Sequence, residues 1–332
     1  KKYNLLSQNI YNELLHRANE QNIKFWRYEY DANGNIKKST DPSGNIIDYR
    51  YDALDRLTSE KNGREVLTSF AYDASLYGIG KLSSISTKNY SKNLVYDIHG
   101  NLVEENIGID GESYKTEFLY HNNNRLLSTI YPQGGIVVYG YNNAGYLENL
   151  RFDNDLLISD INYAPTGAIA KIIYGNGSIS ENIFDEQQNY RLIQKTTTSG
   201  EKELQNLHYT YDAVGNILSV KELNNNSLLS REASYIYDDL YRLTDAHIVS
   251  VKNNEDTLRK YEYDPVGNMT FRTDAGAYAY NASHPHAVSS VGDISYTYDA
   301  SGNMRTRGDA SMEWDIKNRL QKYSSNGKDI SY

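Results

Sequence analysis

Three clusters in this 332-residue sequence carry residue types that could do chemistry, and each lacks a part the chemistry requires. Asp31, Asn33 and Asn35 stand at alternate positions, as the first oxygen ligands of a calcium loop would. Such a loop also needs glycine at its sixth position for the bend and glutamate at its twelfth to close the cage. Here Gly34 is at the fourth position and Pro42 at the twelfth; Asp299, Ser301 and Asn303 fail in the same way, with Ala310 at the twelfth. Gly78-Ile-Gly-Lys-Leu82 hints at a phosphate loop. However, Ser75 and Leu82 occupy the places where glycine and Ser or Thr would let amides cradle phosphate and a hydroxyl meet magnesium. His284-Pro-His286 offers two imidazoles to a metal with no third ligand nearby. Carboxylates are plentiful, but no pair is set apart for acid–base work. The expectation is no catalytic residue, no cofactor and no metal site, with the repeated aspartates serving as turn makers. Matches to the glycosylation signal at Asn89, Asn176, Asn225, Asn268 and Asn281 are what an Asn- and Ser-rich chain produces by chance.

The elements that hold these residues are repeats. Tyr28-Glu-Tyr-Asp-Ala-Asn-Gly-Asn35 returns at Tyr209–Asn216, Tyr261–Asn268 and Tyr296–Asn303. Tyr28 and Tyr30 are two apart, so on a strand both rings share a face. Asp31 opens a turn by accepting from backbone two residues on, and Gly34 supplies the positive φ that a tight loop demands. Ile36 then restarts the alternation, so the unit is one β-hairpin. The second aromatic of each unit falls at Tyr30, Tyr51, Tyr72, Tyr96, Tyr120, Tyr141, Tyr163, Phe184, Tyr211, Tyr237, Tyr263, Tyr280, Tyr298 and Trp314. From 30 to 314 that is 284 residues over 13 intervals, a mean near 22, so the register outlasts the motif where it decays. The residues singled out as structural are Tyr28, Tyr30, Asp31 and Gly34; Tyr51 and Asp52; Tyr72 and Asp73; Tyr96 and Asp97; Tyr211, Asp212 and Gly215; Tyr237 and Asp238; Tyr263, Asp264 and Gly267; Tyr298, Asp299 and Gly302; and Trp314 and Asp315.

Two turn dialects occur, one ending Gly-Asn (Asp31–Asn35) and one ending Arg-Leu (Asp52–Leu57, Asp238–Leu243, Asp315–Leu320). Only the first has glycine in the loop, so the two are expected to differ in turn type, with Asp238 and Arg242 able to pair across the second. Residues 1–27 fit the repeat poorly and are read as a degenerate N-terminal segment. There Leu5, Leu6, Ile10, Leu14 and Leu15 have partial helical spacing, and a degenerate hairpin ending at Phe25-Trp26 fits equally. Residues 28–332 are the repeat region of about 14 hairpins, decayed at 118–205. Asp329-Ile-Ser-Tyr332 looks like the start of a further strand, so the chain is expected to be a piece of something longer, truncated at both ends.

Tyrosine accounts for 32 residues against 6 Phe and 2 Trp, so packing must rely on rings whose hydroxyls need partners, and the core is expected to be thin and partly polar. A net charge of −9 argues against nucleic acid or an anionic membrane as partner, and no apolar run reaches the 18 residues of a membrane span. Cysteine is absent, which removes disulfides and thiolate metal sites without fixing the compartment. About 28 strands at about 4.8 Å would make a strip that twist forces to coil, with a concave side.

Tyr-x-Tyr-Asp-x-x-Gly-Asn and Tyr-x-Tyr-Asp-x-x-x-Arg-Leu at this interval resemble the YD repeats of Rhs and Tc-toxin shell proteins, which teneurins share; the resemblance runs from Tyr28 to Tyr332. Asn281–Val288, Tyr296–Asn303 and Trp314–Leu320 resemble the run before that family's terminal core. The resemblance implies an all-β fold, tandem hairpins in a long coiled strip that is part of a hollow cocoon. It also implies a secreted or cell-surface bacterial toxin carrier. The implied partners are a C-terminal toxin domain of the same protein, enclosed as cargo, and other toxin-complex or secretion-system subunits; nucleic acid and direct membrane insertion are not implied. The family's self-cleaving core motif is absent, since Asp41-Pro-Ser-Gly44 and Asp264-Pro-Val-Gly267 are both followed by Asn, so no cleavage residue is transferred. A surface adhesion module of the teneurin or wall-associated Rhs type is the alternative. An enzyme acting on polysaccharide is a third reading, supported by aromatic richness alone.

Overall fold

A computed structural model describes residues 2–3, 9–12, 25–223, 229–251, 253–281 and 284–332 of the protein, with the backbone alone at 2–3, 9–12, 229, 281 and 284. The described residues form antiparallel strands, and the one helical element among them is a 3-10 turn at Glu186–Gln188. The fold is all-β, built from tandem hairpins. Of the candidate N-terminal helix, Leu5, Leu6, Leu14 and Leu15 lie outside the described residues. Ile10 lies in a strand, Asn9–Asn12, that pairs with Trp26 and Arg27. Contacts divide the chain into two units, one of residues 1–93, 107–112 and 262–332 and the other of 94–106 and 113–261.

In the first unit Trp26–Tyr30 pairs with Ile36–Thr40, that with Ile46–Tyr51, that with Leu57–Asn62, and that with Glu65–Tyr72. In the second, strands follow one another antiparallel from Glu112–Tyr120 through Leu126–Ile130, Ile136–Tyr141, Leu147–Phe152 and Asp155–Tyr163 to Glu255–Tyr263. Each of these strands pairs with the next in sequence. The decayed stretch 118–205 is as regular as the rest.

The register slips by one residue just before the motif tyrosine, between Glu29 and Tyr30, Arg50 and Tyr51, Gly140 and Tyr141, and Ile236 and Tyr237. This bulge is the signature of a type I turn closed by a left-handed residue. In the first dialect Gly34 N–H donates to Asp31 C=O at 3.2 Å and Asp31 N–H to Asn35 C=O at 2.9 Å. In the second, Asp55 N–H donates to Asp52 C=O at 3.1 Å and Asp52 N–H to Arg56 C=O at 3.0 Å. The dialects therefore share one turn, contrary to the expectation from glycine. The left-handed site is held by Gly34 at φ 95°, but equally by Asp55 at 58°, Asn124 at 63° and Asn318 at 58°. Asp and Asn tolerate that region because their short polar side chains bond locally. Tyr241 has no such help and takes φ 59° nonetheless.

Among the described residues the buried apolar side chains are Ile161, Ala246 and Ala310, while Ser39, Asp41, Thr68, Thr129, Ser219 and Ser250 are buried as well. Polar side chains of this core meet one another or the tyrosines: Ser39 Oγ lies 3.1 Å from Tyr49 Oη and Ser219 Oγ 2.8 Å from Thr210 Oγ1. The core is thin and partly polar, as the tyrosine-rich composition requires.

Candidate functional site: the seam between successive repeats

The motif tyrosines end their strands, and at eight of them the hydroxyl bonds back to the preceding hairpin. Tyr51 Oη donates to Ile36 C=O at 3.0 Å, Tyr72 to Leu57 C=O at 3.0 Å, Tyr120 to Leu102 C=O at 2.9 Å and Tyr141 to Leu126 C=O at 2.9 Å. The same bond joins Tyr163 to Leu147, Tyr211 to Leu192, Tyr237 to Ile217 and Tyr280 to Met269. The acceptor lies at the start of the returning strand, opposite the tyrosine of its own hairpin, where the bulge frees the carbonyl. Trp314 keeps the pattern with different chemistry, its indole N–H donating to Met304 C=O at 2.7 Å. Tyr30, Tyr96, Tyr263 and Tyr298 end their strands in the same way. Tyr28 lies beside Tyr30 on the same face, stacked on Trp26 with centroids 6.3 Å apart.

Phe184 has no hydroxyl, and the carbonyl it should satisfy, Ile169 C=O, accepts instead from Asn182 Nδ2 at 2.8 Å. Asn182 precedes Phe184 by two on the same strand, and its Oδ1 is buried without a partner. Asn182→Ala is expected to destabilise by about 0.5–1.5 kcal/mol, because it removes the hydrogen bond to the Ile169 carbonyl. Phe184→Tyr in the same chain should recover most of that loss. Equilibrium denaturation of the four-member cycle decides it, and additive effects would show that the two side chains do not share the carbonyl.

The turn aspartates do two jobs. Asp31 Oδ1 accepts from the N–H groups of Asn33 and Asn35 at 3.0 and 2.9 Å, and Oδ2 from Asn35 Nδ2 at 3.2 Å. The carboxylate therefore acts as the turn maker that the spacing suggested. Asp97, Asp212, Asp264 and Asp299 repeat this with Asn101, Asn216, Asn268 and Asn303. In the second dialect an arginine replaces the asparagine. Arg56 Nε donates to Asp52 Oδ2 at 2.7 Å, and Arg242 and Arg319 do likewise with Asp238 and Asp315. Where the aspartate is lost, at His121, Asn142 and Ala164, the backbone bonds of the turn persist.

The residue that closes the turn also reaches the next one. Asn35 Nδ2 bonds Asp55 Oδ1 at 2.8 Å, Asn101 bonds Asn124 at 3.0 Å, and Asn303 bonds Asn318 at 2.6 Å. Arg56 straddles Asp52 and Asp73, giving Asp73 two parallel bonds at 3.0 and 2.7 Å, with its guanidinium 4.4 Å over the Tyr72 ring. Arg191 donates to the carbonyls of Asp212 and Ala213 and lies 5.7 Å from the Tyr211 ring. So the Arg-Leu of one repeat receives the Tyr-Asp of the next, arginine against aspartate and leucine carbonyl against tyrosine hydroxyl. Gly34 and Gly215 act through turn geometry; Gly267 and Gly302 do the same at φ 94° and 90°. Sequence spacing marked the tyrosines and aspartates but missed Asn35, Asn101, Asn303, Arg56 and Arg191 as inter-repeat partners. The recurrence of Asn35, Arg56, Asn101 and Asn303 one place before the returning strand, with Arg191 opening its own, was the available signal. His286 Nδ1 lies 2.8 Å from Asn268 Oδ1, while the side chain of His284 is outside the described residues.

These contacts set how the sheet responds to pH. At Asp52 and Asp238 the backbone N–H of the closing arginine leads the causes that hold the carboxyl below its ordinary value. At Asp31, Asp97, Asp212 and Asp264 burial opposes ionisation, and the bonds from the closing asparagine and the turn amides outweigh it. Carboxyls depressed in the folded chain contribute stability that is complete above the unfolded value of about 3.9 and is lost as pH falls through the folded values. Burial raises the hydroxyls of Tyr51, Tyr120, Tyr141, Tyr211, Tyr237 and Tyr280. That contribution is complete below the free value of about 10 and is lost as pH rises through the folded ones. Sheet circular dichroism should therefore show an acid limb below the ordinary carboxylate range and an alkaline limb in step with phenolate absorbance. Phenolate formation that leaves the sheet intact would contradict the tyrosine contribution.

Residues 156–332, more than half of the chain, match the teneurin YD-shell family, and residues 30–65 match the RHS repeat. Toxin subunit YenC1 of Yersinia entomophaga is 26% identical over 247 residues, which is 59% of this chain and 25% of that protein. The crystal structure of TcdB2-TccC3 superposes with a TM-score of 0.74 at 18% identity, covering 93% of this chain and 19% of that one. The Photorhabdus luminescens Tc holotoxin pore gives 0.75 at 18% identity, covering 93% and 18%. The chain thus spans about a quarter of the curated relative's length, and it has the fold seen in those Tc toxin structures. The hairpin repeat and the family match agree: the chain belongs to the teneurin YD-shell family and carries an RHS repeat at 30–65.

Proposed function

We propose that this chain is a wall segment of a secreted bacterial toxin, enclosing a C-terminal effector of the same protein for delivery to another cell. The observation that carries the reading is the likeness over 247 residues to a toxin subunit, joined to a Tc toxin fold over 93% of the chain. The repeat seam fits that role. Successive hairpins are bonded to one another by tyrosine hydroxyls and turn side chains, so the wall holds without a deep core. In this reading the repeated tyrosines, aspartates and glycines are structural, the role is not enzymatic, and the partners are the cargo and other toxin-complex subunits.

The test is peptide mapping of the protein from its native source before and after protease treatment. A chain well above 37.9 kDa, with a C-terminal region resistant until the sheet is denatured, is the expected result. An effector region digested as fast as a free polypeptide would overturn enclosure. A second reading, a surface adhesion module, is favoured by the teneurin match and by exposed apolar turn tips at Leu54, Leu240 and Val266. It takes first place if the native chain ends in a wall or membrane anchor.

A further inference from the structure

The strand ladder joins each hairpin to the next, but one group of contacts in the first unit joins residues 249 to 277 positions apart. The turn 299–303 meets the turn 41–45: Ser301 Oγ lies 2.9 Å from Ser43 Oγ and accepts the Ser43 N–H at 3.3 Å. The turn 315–319 reaches the same hairpins. Asn318 Nδ2 donates to Asp41 Oδ2 at 3.3 Å, and the Lys317 ammonium sits between the Glu60 carboxylate and Thr68 Oγ1, the latter at 3.1 Å. Asp41 and Thr68 are buried, and the Lys317 and Glu60 side chains are 19% and 14% exposed.

Lys317 and Ser301 occupy the second position after the turn aspartate. At that position Leu54, Leu240 and Val266 are 67–70% exposed, so those turn tips stand in water while these two are docked. The tyrosine seam cannot supply this contact, because it links only neighbours. Beside it lies an open cleft of about 710 Å³, whose lining includes Leu67, Lys88, Ile316, Lys317 and Tyr332, so solvent already reaches one side.

We propose that the turns 299–303 and 315–319 form a releasable clasp, centred on Lys317, that ties them to the turn 41–45 and the strands Leu57–Asn62 and Glu65–Tyr72 and opens without unfolding the strand ladder. The bonds crossing it use side chains, whereas each hairpin pair is held by a run of backbone bonds. Breaking the former therefore costs less than breaking the latter, and the opening is local. The half-buried Lys317–Glu60 pair is the dominant tie, since removing one partner leaves the other charge in a poorly solvated place. The clasp stands whether or not the wall encloses a cargo.

Amide hydrogen exchange on the whole chain tests it. Lys317→Glu should speed exchange at least tenfold in 41–45, 57–70 and 315–319, leaving 126–223 unchanged, and adding Glu60→Lys should reverse most of the increase. The chain has no cysteine, so Ser43→Cys with Ser301→Cys offers a single possible disulfide. Oxidation should form it readily and return exchange in those segments to the wild-type level even with Lys317→Glu present. Unchanged exchange in Lys317→Glu, a uniform increase along the entire chain, or failure of the disulfide to form in the folded protein would each overturn the clasp.

Discussion

Tyr237→Ala lowers the unfolding free energy by about 3 kcal/mol, and Tyr237→Phe by about 1 kcal/mol. The larger figure is the low end for a buried aromatic, chosen because the ring is only partly shielded. The smaller isolates the hydroxyl, whose loss leaves the half-buried Ile217 carbonyl without its 2.9 Å donor. The split should recur wherever the seam bond exists. Tyr141, which donates to Leu126, should behave as Tyr237 does, and Trp314→Phe should cost at least what Tyr237→Phe costs, because the indole N–H does the same work. Tyr263→Ala, at the end of its strand on a half-buried face, belongs to the same class. Urea denaturation with an unchanged slope measures all of these. A Tyr237→Phe variant as stable as the parent would mean that water replaces the hydroxyl and that the seam is held by ring packing alone.

Gly175→Ala is expected to cost a comparable amount, about 3 kcal/mol, for an unrelated reason. A Cβ at Gly175 would lie 1.4 Å from the Leu156 carbonyl oxygen, a backbone atom that cannot rotate away. Gly175 N–H also donates to Leu157 C=O at 2.8 Å, so relieving the clash means giving up the last rung between this hairpin and the strand Asp155–Tyr163. Overpacking of this kind costs about 1–3 kcal/mol, and the lost backbone bond adds to it. Gly177→Ala serves as the control, having open space around its Cβ but a φ of 83°. It should show strain alone, of about 1 kcal/mol. Thermal unfolding of both variants decides the matter; if Gly175→Ala were the milder of the two, the hairpin end would be free to shift and the close approach would not restrain it.

The two effects differ in where they act. The tyrosine seam fixes one hairpin to the next, so losing one bond weakens one boundary in a chain of similar boundaries. Repeat arrays sum such nearest-neighbour terms. The turn network adds a second boundary term along the line of loops, and Arg56 shows its scale, binding its own Asp52 and the following Asp73 together. Neither term by itself brings distant hairpins together, which is why contacts such as those of Lys317 carry information that the repeat does not.

Much of this was legible in the residues. Alternate tyrosines ending in aspartate dictated a strand running into a turn, and the 22-residue spacing dictated hairpins in series. A ring at every register position survived even where the turn aspartate is replaced, as at His121 and Asn142, because the backbone bonds of the turn do not depend on the side chain. The pairing of Asp238 with Arg242 followed from their spacing across one loop. What spacing could not reveal was the sameness of the two dialects, since Asp55 and Asn318 adopt a left-handed φ that sequence rules assign first to glycine.

The sequence by itself determined the hairpin, its period and the all-β class, because these depend on residues within a few positions of one another. The tertiary structure alone decided where each hydroxyl goes, since its acceptor is a backbone carbonyl that carries no residue signature. It alone showed Asn182 standing in for the missing hydroxyl of Phe184. It alone also placed Lys317 against Glu60, for a contact across 257 residues leaves no trace in any local pattern.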